Sequence, residues 1–332
     1  MLTYEQLKER LGQIKDPSLK KSFKEVGGLK KLVIGPTGVV ELEINLKDKT
    51  ANEQKMKIEI IRLVKIEAGF PGIKIEFFES EYIPEGEKAI KYLAVASGKG
   101  GVGKSTVTAN LAAALIRQGL KIGIVDADIY GASIPNVLQL PIKPLSATKD
   151  ELMIPLQKDG IEVISTEIFM PAEKPLMWRG PMLGKMLVHF FNGTKWQDDI
   201  DLILIDLPPG TGDVALDVNK YVPKSKIMVV TTPHVNAANV AVKAGIGAQN
   251  LGHEVIGVVE NMSYYLNTCN DTREYLFGEG GAANVAKKLG VPMMIQIPLG
   301  QPLDKSFIFK GNEPIGKVYD ELALQVMKDL EL

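Results

Sequence analysis

The sequence predicts an α/β protein in which a mostly parallel sheet is covered by helices on both faces, preceded by a small α+β domain. From Lys91 onward, continuous apolar runs typical of buried parallel strands alternate with helix-length segments. The first 80 residues instead combine alternating strands with amphipathic helices. Between these parts, the polar stretch ESEYIPEGEK shows no clear period. We therefore predict a domain over 1–80, a linker over 81–90 and a second domain over 91–332.

The elements of the first domain follow from its hydrophobic patterns. The residues from Thr3 to Ile14 are predicted to form a helix that Asp16-Pro17 ends. The segment GVVELEINL alternates apolar and polar residues with the period of a half-buried strand. The segment ANEQKMKIEIIRLVKIEAG repeats its apolar residues at helical spacing, and IKIEFF after it predicts another strand.

The second domain contains six strongly apolar runs that we interpret as strands: YLAVAS, KIGIVDA, DLILIDL, KIMVVTT, EVIGVVEN and MMIQIPL. Open parallel sheets bind ligands at the carboxyl ends of their strands. Three polar segments stand at such ends, namely SGKGGVGKST, the triplet from Asp126 to Asp128, and the segment that begins at Asp206. The binding site is therefore expected at this edge of the sheet.

Composition limits the classes of function. The chain has 332 residues, 45% of them hydrophobic, and a formal net charge of −1, which predicts no general attraction to nucleic acid or to a membrane. It has no apolar run of 18 residues and no signal-peptide pattern, so we expect a cytoplasmic protein. The single cysteine, Cys269, excludes an intramolecular disulfide and a C-x-x-C metal clip.

The loop SGKGGVGKST fits two phosphate-binding patterns. From Gly98 to Gly103 it matches the dinucleotide pattern G-x-G-x-x-G, and Asp126 follows 23 residues later, near the position of a ribose-binding acid. Through Ser105 it also matches the P-loop pattern G-x-x-x-x-G-K-[ST]. Lys104 and Ser105 decide between the two, because a lysine and a hydroxyl at the first helical turn serve a triphosphate and its Mg²⁺. We therefore predict an ATP and Mg²⁺ site formed by Gly98, Lys99, Gly100, Gly101, Val102, Gly103, Lys104, Ser105 and Thr106.

Acidic residues and a second lysine complete the predicted site. Asp206 is expected to orient the waters of Mg²⁺, the alternative being an ordinary acid in a strand-end turn. Asp126 or Asp128 is expected to position the attacking water, with Asp128 favoured over a role as a helix N-cap. Lys99 cannot easily fold back onto phosphates enclosed by its own loop. Its charge is expected to reach a partner subunit's nucleotide, the alternative being a solvated lysine.

The motifs KGGVGKST, VDADIYGASIP and DLPPGTGD together resemble the Mrp type of P-loop ATPase, the iron-sulfur cluster carrier branch of the MinD/ParA group. The segments WRGPMLGKML, TTPHVNAANVAVKAG and ENMSYY are similar to the same family. Residues 1–80 resemble the assembly-factor domain often fused ahead of it. The resemblance implies a homodimer in which each Lys99 contacts the partner's nucleotide. It also implies roles for five further residues, namely Lys104 and Ser105 on the phosphates and Mg²⁺, Asp128 and Asp206 as switch acids, and Asn261 on adenine.

The resemblance further implies an ATPase that carries a bridging [4Fe-4S] cluster to apoproteins. Carrier members hold the cluster with a C-x-x-C pair shortly after the ENMS segment, whereas this chain reads LNTCND with Cys269 alone. Two subunits then supply two of the four thiolates required. Asn267, Asp271 or an added small thiol are candidates for the remaining ligands, although hard oxygen ligands fit these clusters poorly. The alternatives are that Cys269 is an ordinary loop thiol and that the chain is an ATP-dependent regulator that binds DNA or a protein.

Two further segments carry weaker signals. Gly278, Gly280 and Gly281 look like a second anion cradle, but no lysine follows, and we interpret them as a helix-entry turn. Trp178 and Arg179 are either anchors of a dimer contact or residues of the core.

Overall fold

The chain forms two compact units, Met1–Glu87 and Lys88–Leu332. The computed structural model describes residues 2–79, 90–128, 131–141, 145–149, 151–169, 186–187, 189–210, 222, 225–267, 269–304 and 306–332. Except for residue 90, the predicted linker over 81–90 lies outside the described residues, as do Trp178 and Arg179.

The first unit packs helices against a three-stranded sheet. Strand β2 is central, antiparallel to β1 and parallel to β3. The elements are α1 (Tyr4–Gln13), α2 (Phe23–Val26), β1 (Leu29–Ile34), β2 (Val39–Leu46), α3 (Lys49–Ile61), a π-helical turn (Arg62–Glu67) and β3 (Gly72–Glu79). The predicted helix from Thr3 to Ile14 is α1, and Thr3 is its N-cap, because the Thr3 side chain accepts a hydrogen bond from the Gln6 backbone N–H.

The sequence did not predict β1 or α2. In β1 only Leu32 is buried, so this edge strand lacks the alternating pattern that would have revealed it. Helix α2 is a single turn of four residues, shorter than any periodic pattern can indicate. The predicted second helix is present, but its last residues form the π-helical turn.

The second unit is built on an eight-stranded sheet with the order β13-β10-β9-β4-β8-β5-β7-β6. All neighbouring strands are parallel except β6, which is antiparallel to β7 at one edge. The strands are β4 (Lys91–Ser97), β5 (Ile122–Asp126), β6 (Leu156–Lys158), β7 (Ile161–Ser165), β8 (Leu202–Asp206), β9 (Lys226–Thr231), β10 (Val255–Glu260) and β13 (Met293–Gln296). The predicted α/β class with a mostly parallel sheet is confirmed.

Helices cover both faces of this sheet. Alternate residues of β4 belong to different cores, Leu93 and Val95 to one and Ala94 and Ala96 to the other. The remaining elements are α4 (Lys104–Arg117), α5 (Ile134–Val137), a 3-10 turn (Thr166–Phe169), α6 (Val235–Asn250), the hairpin strands β11 (Tyr265–Asn267) and β12 (Thr272–Glu274), α7 (Gly281–Leu289) and α8 (Pro314–Leu330). None of the helices in the described part of the chain has the length and hydrophobicity of a membrane-spanning segment.

Candidate functional site

The glycine-rich loop connects the central strand β4 to α4. Gly101 and Gly103 have φ angles of +83° and +82°, a left-handed conformation that glycine adopts without a steric penalty. At Gly98 an added Cβ would lie 2.3 Å from backbone atoms of α6, so the loop begins in close contact with that helix. Gly103 caps α4 without a side-chain hydrogen bond. The first N–H groups of α4 therefore remain for an anion.

Lys104 lies at the centre of a charged cluster formed by three segments, namely the start of α4, the residues after β5 and the end of β8. Its side chain is 6% exposed, and its Nζ lies 2.7 Å from Asp206 Oδ2 and 3.9 Å from Asp128 Oδ2. Asp206 also accepts hydrogen bonds from Ser105 Oγ at 2.5 Å and from Thr108 Oγ1 at 2.9 Å. The structure thus brings together Lys104, Ser105, Asp128 and Asp206, all of which the sequence singled out.

Thr108 is a site residue that the sequence analysis missed. Its hydroxyl hydrogen bonds to Asp206 and, at 3.0 Å, to the backbone oxygen of Lys104. The spacing could have indicated it, because Thr108 follows Ser105 by three residues and both hydroxyls therefore lie on one face of α4.

Asp126 anchors a loop inside the protein. It is 0% exposed, and its Oδ2 accepts hydrogen bonds from the backbone N–H groups of Ser133 and Ile134, both at 3.2 Å, and from Ser165 Oγ at 3.1 Å. Burial, followed by the nearby charge of Asp206, raises the pKa of Asp126 to about 7. Asp126 therefore holds the segment after β5 in place and does not line the cavity described below.

Asp128 is the acid of this pair that lines the cavity. Its side chain is 13% exposed, and its Oδ1 accepts a hydrogen bond from the Gly131 backbone N–H at 3.1 Å. Burial raises the pKa of Asp128, and the Lys104 ammonium opposes that effect. Asp128 does not cap α5, because Ser133 occupies the N-cap position of that helix.

A cavity of about 650 Å³ opens above the loop, a size suited to a small ligand. Its floor is the segment from Gly100 to Thr106, and Asp128, Pro208 and Pro209 form part of its walls. Lys99 also lines this cavity and is exposed to solvent, whereas Lys104 is buried. The two lysines of the loop therefore face different surroundings.

Asn261 supports the loop from the end of β10. It is 7% exposed, and its Nδ2 donates a hydrogen bond to the Val102 backbone oxygen at 2.9 Å. An added Cβ on Gly103 would lie 2.3 Å from the same nitrogen. The adenine contact that the resemblance implied for Asn261 stays a prediction.

Cys269 lies in the turn of the β11–β12 hairpin, which the sequence analysis did not predict because its strands have only three residues each. The thiol is exposed, and the Cys269 backbone N–H donates to Asn267 Oδ1 at 3.0 Å. The Asn267 amide in turn donates to Glu274 Oε1 at 2.7 Å. Across the described residues, no group of three or more His, Cys, Asp or Glu side chains is placed to hold a metal ion.

The raised pKa of Asp126 predicts a pH-dependent stability. Between its ordinary value of 3.8 and about 7, the unfolded chain ionises Asp126 while the folded chain keeps it protonated. Stability is therefore lost as pH rises through this window. Asp126→Asn cannot ionise at this position, so its stability lacks this loss. As pH rises, the unfolding free energy of the variant should therefore increase relative to that of wild type by up to about 1.4 kcal/mol per pH unit. Urea titrations of both proteins in EDTA from pH 4 to pH 8 measure these unfolding free energies.

The matched control is Asp271→Asn, at an exposed residue whose left-handed backbone asparagine also tolerates. Its difference from wild type should stay constant over this window. A constant difference for Asp126→Asn as well would show that Asp126 is ionised in the folded protein.

A family model described as ParA, the NUBPL iron-transfer P-loop NTPase, matches residues 88–327. The chain belongs to this family. Curated relatives of this NUBPL-type NTPase include the iron-sulfur cluster carrier protein of Bacillus subtilis, 39% identical over 98% of both chains. The iron-sulfur cluster carrier protein of Mycobacterium tuberculosis is 37% identical over 98% of this chain and 90% of the relative.

Solved structures agree with the fold of this NTPase. A nucleotide-binding protein from Archaeoglobus fulgidus in complex with ADP is 35% identical, covers 71% of this chain and 87% of its own, and has a TM-score of 0.55. MinD from Pyrococcus horikoshii complexed with Mg-ADP is 21% identical with a TM-score of 0.52, covers 72% of this chain and 97% of its own, and supports the fold alone. The resemblance found in the sequence is confirmed, and the chain is a P-loop NTPase that binds and hydrolyses a nucleoside triphosphate.

Proposed function

We propose that the chain is an ATP-hydrolysing homodimer that carries iron-sulfur clusters to apoproteins. The observation that carries this proposal is the match to the Bacillus subtilis carrier protein over 98% of the chain, which includes the N-terminal unit. The charged cluster around Lys104 supplies the nucleotide chemistry that such a carrier needs.

The residues of the loop fit a magnesium-bound triphosphate. Lys104 is assigned to neutralise the β- and γ-phosphates, and the N–H groups at the start of α4 are assigned to bind their oxygens. The Ser105 hydroxyl and the Asp206 carboxylate lie 2.5 Å apart, and both are the hard oxygen donors that Mg²⁺ prefers. Bound Mg²⁺ would neutralise phosphate charge during transfer.

Asp128 is assigned to the attacking water. It lines the cavity, and its carboxylate is held by the Gly131 backbone N–H. Phosphoryl transfer depends mainly on alignment and charge stabilisation, so a fixed carboxylate that orients water is sufficient. Asn261, which already contacts the loop, is assigned to the adenine by resemblance.

Lys99 is assigned to the nucleotide of the partner subunit. We expect Lys99→Ala to lower turnover per subunit by about 100-fold or more, as loss of a charge supplied in trans does in related P-loop enzymes. Binding of ATP to the monomer should change little, because Lys104 and the loop backbone remain. Steady-state hydrolysis at several protein concentrations, with calorimetric binding, measures both quantities.

Lys287→Ala is the control for this experiment, since Lys287 is an exposed lysine near the end of α7. Its turnover should equal that of wild type. If Lys99→Ala also hydrolyses ATP at the wild-type rate, the shared site is wrong and Lys99 is a solvated lysine.

We assign the cluster-binding site to Cys269, although the chain by itself supplies too few thiolate ligands for a cluster. A homodimer supplies two Cys269 thiolates, whereas an all-cysteine cluster has four. Asn267 is already engaged within the hairpin, and amide and carboxylate oxygens are poor ligands for these clusters. We propose that small exogenous thiols supply the other two ligands, which the exposure of Cys269 permits.

Anaerobic reconstitution tests the proposed cargo. With iron, sulfide and a small thiol present, wild type should bind about one cluster per dimer, and omission of the thiol should reduce the yield. Cys269→Ala should bind none. Iron and sulfide analysis, with the visible absorption spectrum, measures the outcome.

Equal uptake by Cys269→Ala, or none by wild type, would remove the cargo assignment while leaving the ATPase intact. ATP-dependent, salt-sensitive binding of short DNA duplexes would then favour the regulator that the sequence left as the alternative.

A further inference from the structure

A buried carboxylate stands at the end of β10, outside the charged cluster around Lys104. Glu260 is the last residue of β10 and is 0% exposed. Its Oε1 accepts hydrogen bonds from Ser263 Oγ at 2.7 Å and from Gln296 Nε2 at 2.9 Å. Its Oε2 accepts one from the Ala282 backbone N–H at 2.7 Å. One side chain thus joins β10, β13, the first turn of α7 and the segment that leads to the hairpin.

Glu260 also explains the second glycine-rich segment. Gly280 has a φ of +76° and caps α7, which begins at Gly281 as the predicted helix-entry turn. The Glu260 carboxylate meets the first turn of this helix, where the partial positive charge favours an anion. The chain therefore provides the anion for this segment from its own sequence.

The segment that follows Glu260 first contacts the nucleotide loop. The next residue, Asn261, donates a hydrogen bond to the Val102 oxygen and lies so close to Gly103 that a single added carbon would clash. Any displacement of the loop would therefore move Asn261 or break this hydrogen bond.

Farther along the same segment, the chain enters the β11–β12 hairpin. Ser263 is 0% exposed, and its N–H donates to the Ile297 oxygen at 2.9 Å while its hydroxyl donates to Glu260. The backbone oxygen of Tyr264, the next residue, accepts a hydrogen bond from the Leu299 backbone N–H at 2.7 Å. The start of the hairpin is therefore attached to Glu260 and to the segment after β13.

We propose that Glu260 is a positioning residue that couples the nucleotide loop to the β11–β12 hairpin. It holds the segment that begins with Asn261, at the loop, and continues through Ser263 into the hairpin. The contacts of the carboxylate with α7 and β13 hold it in place. A displacement of Asn261 is then passed to Ser263 and changes the surroundings of the hairpin turn. The importance of this hairpin for cargo rests on the proposed function, but the coupling itself does not require a cluster.

The experiment uses Cys269 as a reporter, because it is the only cysteine of the chain and is exposed. The rate of its alkylation by iodoacetamide is measured on the full chain without nucleotide, with ADP, and with a non-hydrolysable ATP analogue plus Mg²⁺. In wild type the analogue should change the rate by about fivefold or more, the usual size of coupling between sites. In Ser263→Ala the change should be less than about twofold, although calorimetry still detects binding of the analogue.

Ser225→Ala is the matched control. Ser225 is 2% exposed, and its Oγ lies 3.3 Å from His253 Nδ1. It precedes β9 and so lies at the amino ends of the parallel strands, whereas Glu260 lies at their carboxyl ends. This variant loses a buried hydroxyl of the same kind and should keep the full nucleotide response. Glu260→Gln is the second variant. It preserves the shape but replaces one accepting oxygen by an amide NH₂, and it should also reduce the response.

The proposal is overturned if Ser263→Ala and Glu260→Gln, both folded by circular dichroism, respond like wild type. It is also overturned if Ser225→Ala loses the response to the same extent, or if wild type binds the analogue without any change in rate. Failure of cluster reconstitution leaves this measurement unaffected, so the two proposals fail separately.

Discussion

Lys104→Ala is expected to weaken ATP binding by about 100-fold or more and to abolish measurable hydrolysis. The Lys104 ammonium is the buried cation of the charged cluster, with Asp206 Oδ2 at 2.7 Å. Charge-assisted hydrogen bonds contribute about 1.5–3 kcal/mol each, and a 100-fold loss corresponds to about 2.7 kcal/mol. Isothermal titration calorimetry with an ATP analogue and a phosphate-release assay measure the two effects.

The same substitution should also lower the stability of the nucleotide-free protein. It leaves Asp206, which is 0% exposed, without its cation, and removal of one partner of a buried ion pair costs about 3–5 kcal/mol. Lys195→Ala is the control, because Lys195 is half-exposed and pairs with the exposed Asp198. That variant should bind ATP like wild type. Unchanged ATP affinity in Lys104→Ala would contradict the assignment of the loop itself.

Asp128→Ala is expected to lower turnover by about 100-fold or more while ATP binding is kept or slightly strengthened. Loss of a group that positions and deprotonates water typically costs about 10²–10⁴ in rate. Binding does not suffer, because a carboxylate beside the phosphate site repels the phosphates. Single-turnover hydrolysis with saturating enzyme separates the chemical step from binding.

The control for Asp128 is Asp198→Ala, whose side chain is 87% exposed in the same unit. It should hydrolyse ATP at the wild-type rate. A normal chemical step in Asp128→Ala would show that another group orients the water. Parallel loss of binding would show instead that Asp128 supports the shape of the site.

Local sequence patterns predicted the elements that are long and regular. Buried parallel strands such as β8 are continuous apolar runs, and α1 carries a complete capping pattern, so each is visible from its own residues. The sequence did not predict β1, β6, β7 or the hairpin strands. Strand β1 is mostly exposed, β6 and the hairpin strands have three residues each, and Glu162 interrupts the apolar run of β7. Strand β1 and the hairpin strands pair with neighbours across short turns, β1 with β2 and β11 with β12, and this pairing stabilises them.

The site was predictable to the extent that its chemistry is concentrated in one loop. Gly98 to Ser105 contain the backbone conformations, the lysine and the hydroxyl of a phosphate site within eight residues, and the strand-end position of Asp206 placed the second acid beside them. The spacing of the residues did not separate Asp126 from Asp128, because Asp126 ends β5 and Asp128 follows two residues later, and only the resemblance favoured Asp128. Only the fold directs one carboxylate to backbone N–H groups and exposes the other to the cavity.

The sequence by itself determined the fold class, the family and the phosphate chemistry, because these depend on periodicity and on motifs that are contiguous in the chain. The tertiary structure decided which polar groups meet across long separations. Hydrogen bonds join residues that are far apart in the sequence. Thr108 and Asp206 are separated by 98 residues, Asn261 and Val102 by 159, and Glu260 and Ala282 by 22. A buried polar group must find a partner wherever the packed chain places one. Such pairings follow from the arrangement of strands and helices and leave no pattern in the local sequence.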